Sequence, residues 1–338
     1  MISKPIVCLS VSAVACAATG FVASASPGGG CPPDRARYEA ETLPRRIPPH
    51  CNMQGKVITD HGVGIHVPDR DAGVYAHDTT SLGSEELLVR SLPDGEVVLD
   101  LVGSETEVTG DGAGGGSGPA ECNDAGSNLH YWKVSDTNGF QWYFNKMSIP
   151  TYIVSDDDTL ARIQAGGRNI AGSNNSCGVA DYVSSANGLD YAGETSRGTN
   201  MTGEACGTTF DRDGISVVNF GPLPKTSDFT TYARACIWIS GSSNGFGLVA
   251  ESDIRINEHG SDVKFYVSDS PPSNCDTASL KDLEGLMTHE RGRHYGIAHV
   301  SEDGHKNLTM SRLFNGSCQR SERSLGLGDA DGLKTIYR

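Results

Sequence analysis

His289-Glu290-Arg291-Gly292-Arg293-His294-Tyr295-Gly296-Ile297-Ala298-His299 is the stretch from which the fold of this chain is read. Just upstream, Leu280, Leu283, Leu286 and Met287 recur at helical spacing. A helix is therefore expected over 280–298, with Asp276, Thr277 or Ser279 as its N-cap. Side chains four residues apart on a helix lie about 40° apart around its axis, so His289 and position 293 share one face. Two histidines so placed can reach one metal ion. Glu290 stands beside the first, where it can take a proton from a water molecule activated there. Gly296 permits a sharp turn, after which His299 can reach back to the same ion.

This spacing resembles the metzincin clan of zinc endopeptidases, whose pattern is His-Glu-x-x-His-x-x-Gly-x-x-His followed by a Met-turn. His289, Glu290, Gly296 and His299 match in register, and Met310 in Asn307-Leu308-Thr309-Met310-Ser311 matches the Met-turn. The nearest likeness is to matrixin-like secreted proteases of bacterial type, and it covers residues 120–338. It implies an α+β catalytic domain, with a twisted mixed sheet, an active-site helix and a terminal helix over 327–337. It implies that 251–257 is the edge strand that holds substrate antiparallel. It also implies a secreted zinc metalloendopeptidase acting on protein or peptide. His289 and His299 would be ligands to Zn2+, Glu290 the general base, and Met310 the floor of the site.

One position departs from the pattern. Arg293 stands where the second histidine is expected. A guanidinium presents only donors and does not deprotonate, so it cannot bind a metal ion. Unit charges ~4 Å apart interact by about 4 kcal/mol at an effective dielectric constant near 20, and a dication doubles that. Weakened zinc binding is therefore expected, with Arg293 paired to Glu290 three residues back. His294 lies about 140° from His289 on a regular helix and points to another face. His305, in the loop before Met310, is a further candidate ligand. The substitution opens a second reading, a catalytically inactive protein on a protease fold that binds peptides or a protein partner.

The rest of the chain gives the setting. Lys4, the interrupted apolar run 6–22 and Ala23-Ser24-Ala25 read as a signal peptide over 1–25, hence a secreted, extracellular protein. No later run approaches the ~20 apolar residues that span a bilayer, so stable membrane insertion is not expected. Residues 26–108 alternate apolar and polar positions and read as a small β-rich N-terminal module or pro-region. The segments 86–90 and 97–101 flank Pro93-Asp94-Gly95, which signals a hairpin. Residues 109–119 are a glycine-rich linker by composition, and the metalloprotease-like domain follows over 120–338.

The chain has 338 residues and a net charge of −15, which disfavours a nucleic-acid partner. Acidic segments, among them Asp156-Asp157-Asp158 and Asp211 with Asp213, make Ca2+ a candidate second ion, although a helix start and a turn explain them as well. Of ten cysteines, Cys8 and Cys16 lie in the signal segment. The remainder lack metal or redox spacing and read as disulfides of a monomer, with Cys31–Cys51 and Cys275–Cys318 the pairs suggested by neighbourhood. Cys31-Pro32-Pro33-Asp34 only faintly resembles a protease cysteine switch. His61, His66 and His77 carry no metal spacing, and a surface or core role is expected for them.

Overall fold

Alternation along two neighbouring strands organises the described part of the molecule. The computed structural model describes residues 30–101, 119–135, 139–183, 188–203, 205–207, 212–225, 229–261, 263–314 and 316–338. The signal segment, the glycine-rich stretch 109–118 and Asp211 lie outside the described residues. Strand β1 (Ala72–Thr80) pairs antiparallel with β2 (Gly83–Ser91), and β2 with β3 (Val97–Leu101). The expected hairpin around Asp94 is the β2–β3 turn. Side chains on a strand point alternately to opposite faces. Val74 and Ala76 accordingly enter one hydrophobic cluster, with Ile58, Ile65, Val89 and Trp238. Tyr75 enters the other, with Trp132, Leu286, Met287 and Met310. His77 and Thr79 follow the parity of Tyr75.

These strands belong to a ten-stranded mixed sheet among the described residues. Its further members include β4 (Phe140–Phe144), β5 (Leu189–Glu194), β6 (Ser216–Gly221), β7 (Thr231–Ser243) and β8 (Phe246–Asn257). The order β5-β4-β6-β8-β7-β1-β2-β3 ends on the short strand Arg46–Ile47. β5, β4, β6 and β8 run parallel, the short strand Trp132–Lys133 pairs parallel with the start of β8, and the other pairings are antiparallel. Residues before and after the glycine-rich stretch thus share one sheet, and Cys31–Arg338 form one compact unit. A second sheet of five short strands, including Val57–Asp60 and Val63–His66, covers the face that Val74 and Ala76 line.

The parallel pair β4 and β5 is joined through helix α1 (Asp156–Ala171). Ser155 caps it by accepting from the Asp158 N–H, and three aspartates complement the dipole of its first turn. Helix α2 (Leu283–His294) packs against α1 and meets β7 and β8. It is shorter than the sequence suggests. Asp282 caps it, accepting from the Gly285 N–H at 3.2 Å. Residues 280–282, expected to be helical, form a short strand against Lys264–Tyr266. The chain leaves α2 through Gly296 at φ +89°, where a Cβ would sit 2.2 Å from the Trp132 carbonyl oxygen. Helix α3 (Leu327–Tyr337) is the expected terminal helix. The fold is α+β.

The reading of 251–257 as an edge strand is overturned. These residues lie in β8, between β6 and β7. Their carboxylates, Glu251 and Asp253, are buried and partnered. Glu251 accepts from the Gly214 N–H at 2.7 Å and from Asn200 Nδ2 at 2.9 Å. Asp253 accepts from the Val217 N–H at 2.8 Å. Polar alternation marks an exposed strand only when the polar face has no donors to meet.

Four disulfides form among the described residues: Cys31–Cys51, Cys122–Cys177, Cys206–Cys236 and Cys275–Cys318. The first and last are the pairs that neighbourhood suggested. Cys206–Cys236 ties the smaller sheet to β7. No described helix is long and apolar enough to cross a membrane.

Candidate metal centre

His289 lies on α2 and His299 beyond the turn at Gly296, and the two rings meet with Nε2 atoms 2.8 Å apart. Their other nitrogens are fixed. His289 Nδ1 lies 2.7 Å from the Thr309 carbonyl oxygen, and His299 Nδ1 meets a Glu86 carboxylate oxygen. Both partners only accept, so each Nδ1 carries a hydrogen. Burial pushes the His289 pKa down to about 4, against the pull of Glu290. The neutral His289 ring turns its Nε2 lone pair toward His299 Nε2 at close range, a place where the two rings could share a cation. This donor set suits a metal ion, with the carbonyl and the carboxylate acting as outer supports.

A third imidazole completes the group. His77, His289 and His299 are all buried, and their ligand atoms lie within 4.8 Å of one another. This buried cluster could hold a metal ion. His77 was expected to fill a surface or core role without a metal partner. The alternation of β1 turns it to the helix side with Tyr75 and Thr79. Burial, and then the charge of Arg293, push its pKa well below the usual histidine value, so the ring is neutral. Its Nδ1 has no hydrogen-bond partner and lies 3.3 Å from Glu290 Oε2.

Glu290 is fully buried. Its Oε1 accepts from Thr79 Oγ1 at 2.6 Å, and its Oε2 has no hydrogen-bond partner. Burial pushes its pKa up, which His289 partly offsets. Met310 is buried beneath α2 at Gly292, where a Cβ would lie 2.3 Å from the methionine sulfur. Asp329 at the start of α3 holds that turn. It accepts from the Thr309 N–H at 2.8 Å and the Met310 N–H at 3.2 Å.

Arg293 does not pair with Glu290. Its Nη2 donates to a Glu86 carboxylate oxygen and its Nη1 to His130 Nε2 at 3.0 Å. Burial is the largest influence and raises the Glu86 pKa, but Arg293 together with His130, His77 and Arg312 holds Glu86 below the usual carboxylate range. His294 takes the other side of α2, as its spacing indicates, and packs edge-on to Phe140 at 4.1 Å. His305 is engaged elsewhere, 2.5 Å from Asp124. Asp213 accepts from the Ile215 N–H and pairs with Arg197, as a turn residue does.

The sequence reading missed His77, Thr79, Glu86 and His130. In β1 and β2 the period-two pattern marks two faces, which is the signal available for three of them. No protein-family model matches the chain, and no curated protein matches it.

Proposed function

We propose that the chain is a secreted zinc metalloendopeptidase of the metzincin type by descent, in a form whose catalytic power Arg293 impairs. The observation that carries the reading is the meeting of His289 Nε2 and His299 Nε2, with Glu290 beside them and Met310 below. His289, His299 and His77 would hold the ion. A zinc ion so held would polarise a peptide carbonyl and acidify water. Glu290 is the group placed to receive the proton, because Oε2 makes no hydrogen bond while Thr79 fixes Oε1. Four disulfides support an oxidising, extracellular setting. The acidic charge supports a protein or peptide substrate over nucleic acid.

A second reading, a non-catalytic protein on a protease fold that captures peptides or a partner, has one observation in its favour. Arg293 is anchored to Glu86 and His130 where the motif expects a ligand. A double variant separates the two. Arg293→His with His77→Ala moves the third imidazole from strand to helix. Zinc uptake with peptide hydrolysis is expected, and adding Glu290→Gln should keep the zinc and lose the hydrolysis. A double variant that binds zinc and cleaves nothing favours the second reading. One that takes up no zinc overturns the first.

A further inference from the structure

Two of the three imidazoles in the buried cluster come from the helix motif and its turn, and the third comes from β1. β1 also covers the site. It runs antiparallel along β7 from Ala72 opposite Ser240 to Thr80 opposite Thr231. The other side of β7 is taken by β8, so β1 occupies what would otherwise be an open sheet edge. Thr79, two residues beyond His77, holds Glu290. Glu86, directly opposite His77 in register, holds both Arg293 and His299. Glu290, Arg293 and His299 therefore each touch the hairpin β1–β2. Glu290 is 0% exposed, His289 1% and His299 6%.

We propose that His77 is a metal ligand and that the ion is a clasp, joining β1 to α2 so that the metal-bound state is the closed state. The proposal rests on the reading of the cluster as a metal centre. Charge supports it. Arg293 alone would repel a dication, but its guanidinium donates to Glu86 and His130, so its charge is paired on the hairpin side of the cluster. If the hairpin β1–β2 leaves, the cluster loses His77 and Arg293 loses Glu86 in the same movement. Two imidazoles then remain beside an uncompensated guanidinium. An ion that binds the closed form and not the open one, present at about 100 times its dissociation constant, lowers the open population about 100-fold.

The test uses the full mature chain, stripped with chelator and returned to zinc or cobalt(II). Zinc stoichiometry and affinity are measured together with hydrogen exchange of the amides over 72–80. The expected result is one zinc per chain and exchange of β1 slowed about 100-fold at that excess of zinc. His77→Ala should weaken zinc by more than ~100-fold, beyond the usual cost of losing an outer-shell support, and should remove the zinc-dependent slowing. His77→Cys keeps a ligand at the position. It should restore binding and give the cobalt(II) form a thiolate charge-transfer band, a signature that a merely structural role would not produce. Zinc uptake that survives His77→Ala at unchanged affinity, or β1 exchange indifferent to zinc, overturns the clasp and leaves a metal centre on His289 and His299. A chain that takes up no zinc overturns both the clasp and the metal-centre reading.

Discussion

Arg293 is neutralised by Glu86, which precedes it by 207 residues, and not by Glu290 on its own helix. Both side chains are buried, and the acceptor oxygen of Glu86 also meets His299. The arginine that breaks the motif is thus built into the same hairpin that contributes His77.

Removing the carboxylate should expose this dependence. Glu86→Ala leaves a guanidinium buried without its counter-charge, at an expected cost of about 3–5 kcal/mol. Denaturant unfolding measures it. Adding Arg293→Met to the same chain should recover most of the loss, because the methionine fills the space without needing a partner. A loss below ~1 kcal/mol in the single variant would show that Arg293 finds another anchor.

His294 is the second buried group whose cost can be measured. Both ring nitrogens lack hydrogen-bond partners, and burial pushes the pKa well below the usual histidine value. The folded chain therefore keeps the ring neutral while the unfolded chain protonates it as pH falls through ~6.5. Stability from this site is full above that pH and is lost as pH falls further, by about 1.4 kcal/mol per unit until the folded pKa is reached. His294→Phe should stabilise by about 1–3 kcal/mol at neutral pH, and its advantage should grow between pH 7 and 5. A constant difference across that range would mean that the ring is not neutral in the fold.

What could be read beforehand follows from the range of each interaction. Residues 289–299, Met310 and the helix 327–337 are local patterns, and each falls where its spacing indicates. Gly296 is glycine also because the Trp132 carbonyl approaches it, and Gly292 because the Met310 sulfur does, and those contacts are not written in the motif. His77 and Glu86 were not legible, because a histidine in a strand has no spacing that announces a metal. Alternation separates Tyr75, His77 and Thr79 from Val74, Ala76 and Asp78. It does not say which set meets α2. That choice comes from the pairing of β1 with β7, across a sequence separation shown by Asp78 and Arg234, which bond 156 residues apart. For 251–257 the failure was different. The pattern was visible, but the backbone donors that bury Glu251 and Asp253 come from other strands and loops.

The two sides of the glycine-rich stretch meet only through non-covalent contacts among the described residues. None of the four disulfides joins 31–101 to 119–338. The contacts themselves are extensive, with β1 paired to β7 from Ala72 to Thr80 and Val74, Ala76 and Trp238 in one buried cluster. Cleavage at a protease site inserted within 109–118 should therefore yield two fragments that co-elute on gel filtration under native, non-reducing conditions. They should separate in denaturant without any reductant. Zinc should raise the denaturant concentration needed, and His77→Ala should remove that increment while leaving co-elution intact. Fragments that part under native conditions would show that the β1–β7 seam is weaker than its burial indicates. Fragments that need reductant to part would show a disulfide pairing other than the four described.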